Sequence, residues 1–82
     1  MTELTPPDIG QVIDLEARHP GGHNGRKEQV MRDQLALTPA AYYRRLGQIL
    51  DTPDLLQAAL MHDPATTNRL RAARALRMEG MR

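Results

Sequence analysis

Phenylalanine, tryptophan, cysteine and serine are all absent from this chain, and tyrosine occurs only twice. Without cysteine there is neither a disulfide frame nor a thiolate metal site, which leaves the redox compartment open. Without serine or cysteine, nucleophilic catalysis loses its usual side chains. Aromatic and β-branched residues are too few to favour a sheet. The core must be Leu, Ile, Val, Met and Ala with a tyrosine, a set that packs more readily between helices. No apolar run approaches the roughly 20 residues of a membrane span. The N-terminus MTELTPPD also lacks a basic stretch followed by an apolar one. A soluble, unexported, cytoplasmic protein is expected. Its 82 residues allow a single domain, 1–82, with one modest core.

The net charge of +1 conceals blocks. Residues 1–25 sum to −3, residues 26–45 to +3, residues 46–68 to −3 and residues 69–82 to +4. The basic blocks hold Arg26, Lys27, Arg32, Arg44 and Arg45, then Arg69, Arg71, Arg74, Arg77 and Arg82. Clustered cations of this kind suit a nucleic-acid binder. Pairing between acidic and basic blocks inside the fold explains the same pattern.

Taken in order, residues 1–6 read as a loose leader. A first helix is expected over 7–18, opened by Thr5-Pro6-Pro7-Asp8, with Ile9, Val12, Ile13 and Leu15-Glu16 as its apolar stripe. Asp14 and Arg18 sit four apart as a surface pair. Gly10 within the stripe either weakens the helix or admits a close neighbour. His19-Pro20-Gly21-Gly22-His23-Asn24-Gly25 is a breaker. Its two histidines have no matching ligand pair elsewhere, so no metal is expected. Its glycines are no phosphate loop, because the lysine spacing is wrong and no strand precedes them.

Residues 26–50 read as a helix, a turn of about three residues and a second helix. Val30, Met31 and Leu35 mark the first, and Ala36-Leu37 interrupt it. Thr38-Pro39 is a strong restart: the hydroxyl can accept from an orphan N–H, and proline at the first helical position loses no useful donor. Tyr42, Leu46, Ile49 and Leu50 then recur on one face. This is the helix-turn-helix layout, whose second helix commonly enters the DNA major groove. A fourth helix is expected over 53–62. Asp63 is a candidate cap for a basic C-terminal helix over 65–78, with Leu70, Ala73 and Leu76 as a narrow apolar face and Arg71 and Arg74 turned away.

Several pieces coincide with a known family. Val12-Ile13-Asp14-Leu15-Glu16, Arg26-Lys27-Glu28-Gln29-Val30-Met31-Arg32, Leu37-Thr38 with Tyr42-Tyr43, Leu50-Asp51, Asp63-Pro64 and Arg69-Leu70-Arg71 together resemble the actinobacterial domain of unknown function 3263 family. The resemblance covers most of residues 9–77 and is most specific at the Lys-Glu-Gln run and the Tyr-Tyr pair. It implies a small helical protein of actinobacteria or their phages with a sigma-region-4-like helix-turn-helix. It brings no established activity.

The fold expected is therefore all-α, about five helices containing a helix-turn-helix, and the function a small DNA-binding transcriptional regulator. Helix 38–50 would read the major groove of double-stranded DNA through Thr38, Ala40, Ala41, Arg44, Arg45 and Gln48. Arginine suits guanine and glutamine suits adenine, and small residues let the backbone approach. An outer face bearing Arg and Gln is also what any solvated helix shows. Tyr43, on the shoulder of the core face, either bonds a phosphate or covers the core edge. Arg26 and Lys27 would hold backbone phosphates, and Arg71 and Arg74 would add more, dock an acidic partner or simply solubilise the tail. A homodimer or an RNA polymerase partner would supply the specificity that one motif lacks. The alternative is a protein-interaction module that binds RNA polymerase or another host protein through the same basic helices. Catalysis is not expected, since Asp63 beside His62 has no third partner and so small a domain rarely holds a deep cleft.

Overall fold

A computed structural model describes residues 4–21 and 23–80, with side chains through residue 77. Five helices and no strand occur among the described residues: α1 (Pro6–Arg18), α2 (Gly25–Leu35), α3 (Pro39–Asp51), α4 (Pro53–His62) and α5 (Pro64–Gly80). Half of the expected leader, residues 1–3, lies outside the described residues, and Pro6 is already helical.

Local chemistry sets the helix starts. Thr5 accepts the Asp8 N–H, while Asp8 accepts the Thr5 N–H at 3.0 Å, a reciprocal capping box. Asn24 caps α2 by accepting the Lys27 N–H at 2.9 Å. Thr38 caps α3 through the Ala41 N–H at 3.2 Å. Asp63 accepts the Thr66 N–H at 3.1 Å in the first turn of α5. These bonds favour the ionised carboxylates and hold the Asp8 and Asp63 carboxyls below their ordinary range.

The α2–α3 connection is three residues, Ala36 to Thr38. Ala36 turns the chain in the left-handed region at φ 55°, ψ 38°, and the Leu37 N–H returns to the Met31 carbonyl at 3.1 Å. An L-residue in that conformation costs roughly 1–2 kcal/mol, whereas glycine adopts it freely but loses more chain entropy on folding. Ala36→Gly is therefore expected to stabilise the protein by about 0.5–1 kcal/mol. A urea midpoint that stays put or falls would show the turn to be relaxed in some other way.

α4 lies against α1, α3 and α5, and α2 packs on α3. The core comprises Ile9, Val12, Ile13 and Leu15 of α1, Met31 of α2, Tyr42, Leu46 and Ile49 of α3, and Ala59 of α4. Gly10 permits the close approach: the His62 ring of α4 lies 3.1 Å from where a Cβ would stand. His62 Nε2 then reaches Asp14 Oδ1 at 2.8 Å, which takes that carboxylate away from Arg18. The expected Asp14–Arg18 ion pair is replaced by a 3.4 Å bond from Arg18 Nε to the Asp14 carbonyl.

α5 departs most from expectation. Leu76 is 69% exposed and Ala73 is exposed, while Thr66 and Thr67 are buried and Leu70 is half-buried. Thr67 can enter the interior because its hydroxyl donates to the Ala59 carbonyl at 3.0 Å. No helix among the described residues is long and apolar enough to cross a membrane.

Candidate nucleic-acid interface

α3 buries Tyr42, Leu46 and Ile49, and the opposite side is left to solvent. Successive residues advance by about 100°, so Ala40, Arg44 and Gln48 share that outer side, and all three are exposed. Ala41 is half-buried beside them. Arg44 and Arg26 form no salt bridge among the described residues. Thr38 keeps its hydroxyl proton free to donate, since its oxygen serves as the α3 cap acceptor. Arg45 is half-buried and close enough to Asp8 to help lower that carboxyl.

Arg74 does not turn away from the domain as expected. It crosses over Gly47 and meets Asp51 Oδ2 at 2.6 Å. Asp51 stands seven residues beyond Arg44 on the same side of α3, so the pair cancels the one negative charge of that face rather than adding a positive one. Arg71 is exposed and, among the described residues, bonds Asn68 Oδ1 at 3.3 Å. Arg32 faces solvent and pairs with Glu28 Oε1 at 2.8 Å.

Lys27 is the clearest correction. Expected to hold phosphate, it is 1% exposed, and its Nζ lies 2.7 Å from Glu16 Oε2. The Tyr42 hydroxyl donates to the same oxygen at 2.5 Å, with the Val12 carbonyl a longer neighbour at 3.4 Å. The ammonium also lies 5.7 Å and 5.3 Å from the ring centroids of Tyr42 and Tyr43, which meet edge to face. Burial, then the Glu16 carboxylate, push the Tyr42 hydroxyl far above its ordinary range and keep it protonated as donor. Lys27 is thus an internal cation joining α1, α2 and α3.

The signal for this cluster was in the spacing. Glu16 falls four residues after Val12 and three after Ile13, on the buried stripe of α1, and Lys27 precedes Met31 by four. Opposite charges on two buried stripes call for each other. Tyr43, 37% exposed, bonds His23 Nδ1 at 3.0 Å, and His23 Nε2 faces Glu28 Oε2 at 3.4 Å. Its hydroxyl therefore ties the breaker segment to α3. Among the described residues no three His, Asp or Glu side chains are grouped to hold a metal ion.

The α2–turn–α3 unit thus has a buried inner side and an open outer side of Ala40, Arg44 and Gln48, with Arg26 and Arg71 elsewhere on the surface and without salt bridges among the described residues. A family model described as "Protein of unknown function (DUF3263)" matches residues 4–81. No curated protein and no solved structure matches the chain.

Proposed function

The chain belongs to the DUF3263 family, which carries no assigned activity, and from its own geometry we propose a small protein that binds double-stranded DNA in transcription control. The outer side of α3 carries the reading: Arg44 and Gln48, one turn apart and exposed, follow a three-residue turn and stand opposite the buried Tyr42, Leu46 and Ile49. A helix held this way can enter the major groove, with Arg44 addressing guanine and Gln48 adenine. Ala40 keeps the first turn thin. Arg26 and Arg71 supply phosphate contacts, whereas Lys27, fully enclosed, supplies none. One motif covers few base pairs, so specificity draws on a second copy or on a DNA-bound partner such as RNA polymerase.

The test is selection from a random duplex library at low and physiological salt, followed by variants on the enriched sequence. Arg44→Ala and Gln48→Ala should each lower specific affinity by about 1–3 kcal/mol. Arg26→Gln should weaken all sequences alike and reduce the salt slope by about one ion. If nothing is enriched and binding disappears at physiological salt, the DNA reading is lost. The basic helices would then be assigned to a protein partner.

A further inference from the structure

On the side of α3 away from Arg44 lies a groove of about 490 Å³, walled by the end of α1, the breaker segment, the start of α2, α3 and α5. That volume falls within the range of small-molecule sites, about 300–1,000 Å³. Its apolar surface comes from Tyr43 and Leu46 of α3 and Leu70 and Ala73 of α5, with Pro20 at one edge. Arg69, Arg77, His19 and His23 supply polar groups around this surface.

The charge of the groove is one-sided. Glu16 and Lys27 also line it, but they neutralise each other at 2.7 Å, and the carboxylate oxygen involved is further engaged by Tyr42. Arg69 gives one N–H to the Glu16 carbonyl at 2.8 Å. Neither arginine has a carboxylate within salt-bridge distance among the described residues. The arginines stand eight residues apart on one side of α5, about two turns, with Ala73 midway between them. Two planar cations above an aliphatic floor match a ligand with an anionic head and an apolar body.

We propose that this groove binds a small organic anion, a carboxylate carrying an apolar chain or ring. The anionic head pairs with Arg77 and the free N–H groups of Arg69. The body lies along Leu70, Leu46 and the face of Tyr43. Ala73 leaves the space that the body fills. The site does not depend on α3 reading DNA, and its test contains no DNA.

Decanoate, below its micelle concentration, is the probe, titrated into the ¹⁵N-labelled full chain and followed by amide and methyl shifts. Saturable shifts are expected at Leu46, Leu70, Ala73 and Arg77. Acetate, which lacks the body, should bind far more weakly, and decylammonium, which reverses the charge, should leave these residues unmoved. Arg77→Gln should weaken decanoate about tenfold, the loss of one charge-assisted contact. Ala73→Phe, at an exposed position, should fill the groove and abolish binding with no change in melting temperature. Equal shifts from decylammonium, decanoate shifts located elsewhere, or unaltered affinity in Arg77→Gln would each overturn the assignment.

Discussion

Lys27→Met is expected to destabilise the protein by about 3–5 kcal/mol, the cost of stranding one member of a buried ion pair. The lysine side chain is 2% exposed and that of Glu16 8%. Removal of the ammonium therefore leaves a carboxylate in a nearly dry site with, among the described residues, the Tyr42 hydroxyl as its remaining donor. The total stability of a domain this size is about 4–12 kcal/mol, so the single variant could approach unfolding at room temperature. The double variant Glu16→Gln/Lys27→Met separates charge from packing. Its amide still reaches the Tyr42 oxygen, and no uncompensated charge remains. Most of the loss should be recovered, because replacement of a buried pair by neutral groups is often close to neutral. Urea denaturation of wild type, single and double variants measures this directly. A Lys27→Met protein with the wild-type midpoint would falsify the burial of the pair. The same result would restore Lys27 as a candidate phosphate contact.

The buried Glu16–Lys27 pair separates what is legible in the sequence from what is not. Helix starts were legible because their causes are local: Thr5, Thr38 and Asp63 each reach an N–H three residues ahead. The inner face of α3 was legible because Tyr42, Leu46 and Ile49 follow a helical period. Lys27 was misread because its partner lies eleven residues back, across a breaker, and a lysine in a basic block defaults to the surface. α5 was misread for a different reason. Its alternating Arg and Ala give a weak stripe, so neighbouring helices decide which side is buried. Ala59 of α4 chose the side with a hydroxyl to offer, Thr67. The charge blocks answered both readings at once. Glu16 with Lys27 joins the first acidic block to the first basic one, and Asp51 with Arg74 joins the second pair of blocks. Arg26, Arg44, Arg71 and Arg77 are left without salt bridges among the described residues. These cations, not the block totals, carry the functional proposals.

Tyr42→Ala should cost about 3–5 kcal/mol, the usual penalty for deleting a large buried aromatic side chain. Tyr42 is fully buried and is the largest side chain in the interior. Its ring packs edge to face on Tyr43 at 5.0 Å, and the Lys27 ammonium lies over it. Two losses combine in this variant, the cavity and the hydroxyl donor to Glu16. Tyr42→Phe isolates the second. It keeps the ring and removes a hydrogen bond to a charged acceptor, worth about 1.5–3 kcal/mol. Lys27 still neutralises the carboxylate, so the lower part of that range is expected. The order of effects, Ala far more severe than Phe, follows only if the ring is core. Tyr42 and Lys27 also share Glu16 Oε2, so their effects should not add: Tyr42→Phe should matter more with Lys27 present than in the Glu16→Gln/Lys27→Met background. Equal penalties in the two backgrounds would mean that the hydroxyl bonds the Val12 carbonyl rather than Glu16. Unchanged melting of Tyr42→Ala would remove α3 from the core. Arg44 and Gln48 would then no longer be held outward, because the orientation of that helix is set by what Tyr42 touches.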